Sequence, residues 1–284
     1  MIERISDMQY RILTQLAVFR FLTTDQMVRL NVCAGHSKTR LYQNLRHLAD
    51  GKKPFLGSYM PEPLPNQGKL PYLHYLTPHG AERVAGVLDV SVDEIKYPHR
   101  APMFRNQYWH VTWCVDDEIS VREWAGAHGH AVDFYHSYLD TTGANRSATK
   151  DKRRNVTKIE TSDGQYIIPD AVCKTTDEAG VDRLFVFEVH NQMRTKRIEK
   201  RLEDMRHALS DGAIERQFSY DASPRICTVF EHEAALSAAA KRMAGSGAFR
   251  GFEPLFYLTT HERMRQDFRY GWRHIDDTRG CALF

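Results

Sequence analysis

The sequence has no C-x-x-C pair, and its five cysteines (Cys33, Cys114, Cys173, Cys227 and Cys281) are an odd number at wide spacing. That excludes a zinc ribbon and argues against a disulfide framework, so free thiols in a reducing cytoplasm are expected. No apolar run approaches the roughly 18 residues that a membrane helix needs, so neither a span nor a membrane partner is predicted. Met1-Ile2-Glu3-Arg4 is not followed by the apolar core of a signal peptide. Nor is there a large excess of one charge: 39 Lys and Arg stand against 36 Asp and Glu, a net +3. Total charge therefore announces no polyanionic partner, and the placement of the charges has to decide. The 284 residues are 42% hydrophobic and 26% charged, which suits a globular chain able to build two ordinary cores.

The first pattern is helical. Ile5, Met8, Ile12, Leu13, Leu16 and Phe19 recur at the spacing of one helix face. Thr23 with Gln26 forms a capping box, flanked by Leu22 and Met27 as a hydrophobic staple, and predicts a short second helix over 24–31. Ala34-Gly35-His36 is a turn, after which Ser37 can cap a third helix reaching about residue 49. Leu41, Leu45 and Leu48 share one face of that helix. The opposite face carries Thr39, Arg40, Gln43, Arg46 and His47, with Tyr42 at its edge. These side-chain types hydrogen-bond base edges and phosphates. Residues 55–76 hold two short β-type segments around a Pro-, Asn- and Gly-rich loop, the pattern of a hairpin. Leu76-Thr77-Pro78-His79-Gly80 then opens another helix over 81–88. Three helices, a hairpin and a helix is the order of a winged helix-turn-helix, an α+β unit assigned to residues 1–95. Two other uses of it stay open: a merely solvated polar face, or protein docking.

Tyr97-Pro98-His99-Arg100-Ala101-Pro102 marks a linker over 96–105. Residues 107–128 predict a long helix bearing His110 and Glu118, the latter needing no function beyond local pairing. An aromatic-rich strand follows over 131–139. In 145–158, Arg146, Lys150, Lys152, Arg153, Arg154 and Lys158 face a single Asp151. This is either a solvated basic loop or one in which Lys152, Arg153 and Arg154 contact phosphates. Residues 165–172 predict a strand ending in Pro169-Asp170. After a loop over 174–182, Arg183 to Asn191 is strongly apolar, as in a strand buried on both faces. Glu188 inside it must be paired or metal-bound. Glu188 and His190 project from one face, and Asp170 converges on them if the two strands are neighbours. A helix rich in Lys and Arg comes next, with Ile198, Leu202, Met205 and Leu209 beneath. A strand over 225–230, an alanine-rich helix over 234–243 and a strand over 253–260 complete a mixed α/β sheet with helices on its faces.

Strand, Pro-Asp, hairpin, strand with Glu, then basic helix resembles the core of the PD-(D/E)XK nucleases. Together with Phe21-Leu22-Thr23-Thr24-Asp25-Gln26-Met27, Tyr75-Leu76-Thr77-Pro78-His79-Gly80, the His110 helix, Pro169-Asp170-Ala171 and Phe187-Glu188-Val189, it resembles the replication-relaxation family of plasmids and integrative elements. That family includes the MOBC-class relaxases. The resemblance covers about residues 8–260 and implies a restriction-endonuclease-like α/β domain over 106–284. It implies that Asp170 and Glu188 hold Mg²⁺ or Mn²⁺, which polarises the phosphate and activates water. The third motif position, usually Lys or a second acid, is His190; Lys196 or Lys200 would then supply the missing cation. The residues themselves leave other roles open: Asp170 as a turn residue, Glu188 as a salt-bridged structural carboxylate, His190 as a core or rim histidine. No motif picks a nucleophile from Tyr135, Tyr138 and Tyr166.

Two functions are expected from this. One is a metal-dependent, DNA-nicking relaxase or relaxosome component at an origin of transfer or replication, with accessory or coupling proteins as partners. The other is a non-catalytic regulator of transcription or replication at an operator, its degenerate nuclease domain serving homodimerisation or partner binding. Double-stranded DNA is the shared ligand.

Overall fold

The computed structural model describes residues 5–35, 37–63, 68–98, 101–102, 104, 107–142, 154–191, 195–277 and 279–284. The chain divides into two compact units, the first reaching to Asp116 and the second starting at Asp117.

The first unit is built of short, well-capped helices and a small hairpin. α1 (Asp7–Phe19) starts at Ser6, whose hydroxyl accepts from Gln9 while the Gln9 side chain returns to the Ser6 backbone. α2 (Thr24–Arg29) starts at Thr23 with the same reciprocal box through Gln26. It stops two residues short of the expected end, because Asn31 turns into the left-handed region at φ 57°. α3 (Lys38–Ala49) buries Leu41, Leu45 and Leu48. β1 (Leu56–Tyr59) and β2 (Leu73–Leu76) pair antiparallel, Leu56 opposite Leu76. α4 (Pro78–Leu88) follows. Leu22, between α1 and α2, exchanges both backbone hydrogen bonds with His74 (3.1 and 2.9 Å) and so adds a third extended segment to the hairpin. Ile12, Leu16, Leu22, Met27, Leu41, Leu73 and Leu76 lie fully buried in this unit. Each such side chain contributes on the order of 1.5–3 kcal/mol relative to exposure.

α5 (Tyr108–Ala127) begins in the first unit and ends in the second. The second unit continues with β3 (Ala131–Ser137), then two ribbons, β4 (Thr141–Thr142) with β5 (Arg154–Asn155) and β6 (Ile159–Glu160) with β7 (Tyr166–Ile167). β8 (Ala171–Thr176), β9 (Asp182–His190), α6 (Thr195–Ser210), α7 (Ala213–Phe218), β10 (Arg225–Phe230), α8 (Glu233–Ser246), β11 (Phe256–Thr260) and α9 (His261–Gln266) follow. The sheet runs β11-β10-β9-β8-β3. β3, β8 and β9 form an antiparallel meander, while β10 and β11 lie parallel to β9. A mixed five-stranded sheet with helices is thus what the alternation of strands and helices builds.

Both sheet faces are covered, which explains the unbroken apolar run of β9. Leu184 and Val186 pack with Ile198, Leu202 and Met205 of α6 and Leu236 and Met243 of α8. Phe185 and Phe187, on the other face, pack with Val121 and Trp124 of α5 and with Phe268 and Trp272. Two expected strands are interrupted at prolines, and β8 runs on to Thr176, into the loop expected over 174–182. The segment 165–172 is not one strand: β7 ends at Ile167 and β8 begins at Ala171. Pro169 has no N–H to give a ladder, so Pro169 and Asp170 lie between the strands. Pro254 has the same effect further on, where Glu253–Leu255 forms a 3₁₀ turn and β11 starts only at Phe256. All five cysteines are free, four buried and Cys281 half-buried. Among the described residues no helix is long and apolar enough to cross a membrane.

Candidate functional site

In the first unit, the leucines of α3 face inward, and Thr39, Arg40, Tyr42, Gln43, Arg46 and His47 are all exposed. Tyr42 retains 56% exposure. The helix carries Lys38, Arg40 and Arg46 and no acidic residue. Lys38 is tied to Asp25 on α2 (2.9 Å). Among the described residues neither Arg40 nor Arg46 has an ion-pair partner. The Gln9 side chain spends its oxygen on Ser6 N (2.9 Å) and places its amide nitrogen 3.1 Å from His47 Nδ1. Nδ1 therefore accepts in the neutral ring, and Nε2 is left as an N–H donor. The face offers donors and acceptors suited to base edges, with two guanidinium groups for phosphates or guanine.

In the second unit, Asp170 and Glu188 come together as neighbouring-strand geometry requires. Asp170 N donates to Phe187 O (3.1 Å), and Asp170 Oδ2 accepts from Val189 N (2.8 Å). The aspartate thus straddles Glu188, bonded on either side of it. Three successive carbonyls of its segment are held: Ile168 O by Arg201, Pro169 O by Thr157 Oγ1 (2.9 Å), Asp170 O by Tyr138 N (2.9 Å). Both carboxylates are buried. Glu188 Oε1 accepts from Arg201 Nε, and Oε2 lies 3.4 Å from the same guanidinium. Burial opposes the charge of Arg201. Glu188 outweighs it by Coulomb attraction and hydrogen bonding, helped by Asp170 and Asp204, so the guanidinium pKa is raised.

His190 ends β9 half-buried, its ring 5.4 Å from that of Phe230 on the adjacent strand. Lys196 and Lys200 are exposed, and Lys200 Nζ lies 2.5 Å from Asp204 one turn along α6. The cation at Glu188 is Arg201. A helical wheel contained the signal: Arg201 lies three residues past Ile198 and next to Leu202, at the edge of the buried stripe. Arg154 is exposed on β5, whereas Lys152 and Arg153 lie outside the described residues. Glu118 is buried and pairs with Arg122 (2.8 Å). Tyr135 is in the core, and Tyr166 is exposed beneath Lys158, whose ammonium stands 4.4 Å from the ring centre. A buried acid also escaped the sequence: Asp117 Oδ1 lies 3.0 Å from Nδ1 of half-buried His261.

Family profiles, curated proteins and solved structures returned no match to the chain.

The donor set decides what ion would fit. Two carboxylates suit a hard divalent cation such as Mg²⁺ or Mn²⁺, which takes oxygen ligands. Here the Glu188 oxygens already face a guanidinium, so Asp170 and Glu188 would hold such an ion only with Arg201 turned away.

Proposed function

We propose that the chain is a sequence-specific DNA-binding protein of a plasmid or mobile element, serving as a relaxosome component or regulator at an origin or operator. The observation that carries this is the exposed face of α3, where every polar side chain expected to reach DNA is at the surface and none is acidic. The order of elements supports a winged helix-turn-helix. So does the backbone pairing of Leu22 with His74, which ties the α1–α2 junction to the hairpin and steadies the helices it precedes. In such a unit the third helix enters the major groove and the hairpin reaches the flanking backbone. Arg46 and Gln43 would read base edges; Arg40, with Lys52 and Lys53 exposed beyond the helix, would position the backbone.

A metal-dependent nickase is the second reading. It is favoured by the way Asp170 clasps β9 around Glu188, in a hairpin followed by a basic helix, the arrangement on which the resemblance to PD-(D/E)XK nucleases rests. When bound, the ion would polarise a phosphodiester and acidify water.

DNA binding is tested by selecting duplexes from a random library with the full chain and measuring affinity for the enriched sequence. Arg46→Ala and Gln43→Ala are expected to weaken it by about 1–3 kcal/mol each and to relax discrimination. Log affinity should fall with log salt by roughly 0.9 per phosphate neutralised. Unchanged affinity in both variants, or no enrichment of any duplex, removes α3 as the reader.

A further inference from the structure

We propose that Arg201 is the resident cation of the Asp170–Glu188 pair, filling the electrostatic role of a divalent ion and excluding one. The inference rests on taking these carboxylates as the counterpart of a nuclease metal pair; it makes no use of α3, so DNA binding and metal exclusion stand or fall separately.

Asp170 is bonded to the residues on either side of Glu188, both carboxylates are buried, and a buried carboxylate needs a compensating charge or hydrogen bonds. Arg201 supplies the charge from α6, reaching both Glu188 oxygens and the carbonyl of Ile168. A guanidinium is always charged, and its planar fork matches a carboxylate in a way that an ammonium does not. The Ile168 contact makes the pairing more than an opportunistic ion pair. It fixes the guanidinium to the chain segment that presents Asp170, so one side chain joins α6, β9 and the residues before β8. Leu202 beside it is fully buried against the sheet, which holds the helix and therefore the arginine in place. A divalent ion at the same carboxylates would have to take the Glu188 oxygens from Arg201 and then sit beside a displaced positive charge. Lys200, which an exchange of cations would call upon, is engaged with Asp204 on the exposed side of α6.

The test is thermal unfolding of the full chain with and without MnCl₂. A ligand that binds only the folded state raises its melting temperature in proportion to the logarithm of ligand over Kd. The wild type is expected to show no Mn²⁺-dependent shift beyond that of Glu188→Gln. Arg201→Gln takes the guanidinium away from buried Glu188, so it should melt lower. Mn²⁺ should then raise its melting temperature, with an affinity roughly tenfold or more above that of the wild type, the equivalent of one broken ion-pair contact. The double variant carrying Glu188→Gln and Arg201→Gln removes both charges and is expected to be folded and indifferent to Mn²⁺. A wild type that Mn²⁺ stabilises in a Glu188-dependent manner overturns the proposal, and this arm needs no Arg201 variant. A folded Arg201→Gln protein that gains no response to Mn²⁺ overturns it equally.

Discussion

His74 shows how much a single side chain can weigh in a small unit. It sits on β2, 7% exposed, its Nδ1 2.8 Å from Ser58 Oγ across the hairpin, and its backbone is bonded to Leu22. Burial lowers its pKa from the ordinary 6.5 to about 4. The unfolded chain therefore binds a proton that the folded chain refuses. Stability is present in full above about pH 6.5 and is lost as the pH falls toward 4, by about 3 kcal/mol for this group. The chain has 14 histidines, so urea unfolding of the wild type must be set against His74→Gln. The wild type is expected to lose the greater stability between those pH values; equal losses would falsify the assignment. At this scale the sequence was informative about chemistry and blind to partners. Asp170 and Glu188 were legible because a carboxylate before or within an apolar strand has to be explained. For Arg201 the helical wheel gives only its place at the edge of the buried stripe of α6; that it reaches Glu188 depends on how the helix lies on the sheet. His74 was also missed, since a hairpin's inward face depends on which segment covers it.

Among the elements, the start of α4 is the most tightly specified. Thr77 caps it by accepting from Gly80 N (3.1 Å) and donates its own hydroxyl to Pro54 O (2.6 Å). Pro78 takes the first-turn position, where a missing N–H costs nothing. Gly80 is required by a close approach: a Cβ there would collide with the backbone carbonyl of Phe55. Backbone cannot move aside as a side-chain tip can, so Gly80→Ala is expected to destabilise by about 1–3 kcal/mol, as overpacking does. Thr77→Ala should cost about 1 kcal/mol for the cap. Denaturant midpoints of the two variants check the order; a Gly80→Ala protein as stable as the wild type would show that the hairpin and helix can separate freely. The elements themselves were the most legible part of the chain. Capping boxes at Thr23 and the leucine spacing of α3 act within a few residues and need no tertiary context. Where an expected strand was interrupted, after Ile167 and before Phe256, a proline had broken a ladder that apolar content alone had suggested.

For the whole molecule, net charge says little and the distribution of charge says more. The +3 of the chain conceals an α3 without acids and a buried Glu188 paired with Arg201. If Arg201 closes the Asp170–Glu188 pair, the wild type should not nick supercoiled DNA bearing its selected site in Mg²⁺ or Mn²⁺. Metal-dependent nicking that disappears in both Asp170→Ala and Glu188→Ala would establish the nickase reading instead; gel analysis of the plasmid forms distinguishes them. The sequence by itself determined the helices, the hairpin, the strand order along the chain and the requirement that Glu188 be compensated, because periodicity, capping and the cost of burying a charge are local or nearly so. Only the tertiary structure decided what compensates it. Whether Lys200 or Arg201 reaches Glu188 depends on the rotation of α6 over the sheet, which is set by Ile198, Leu202 and Met205 packing against strands on either side of them in sequence.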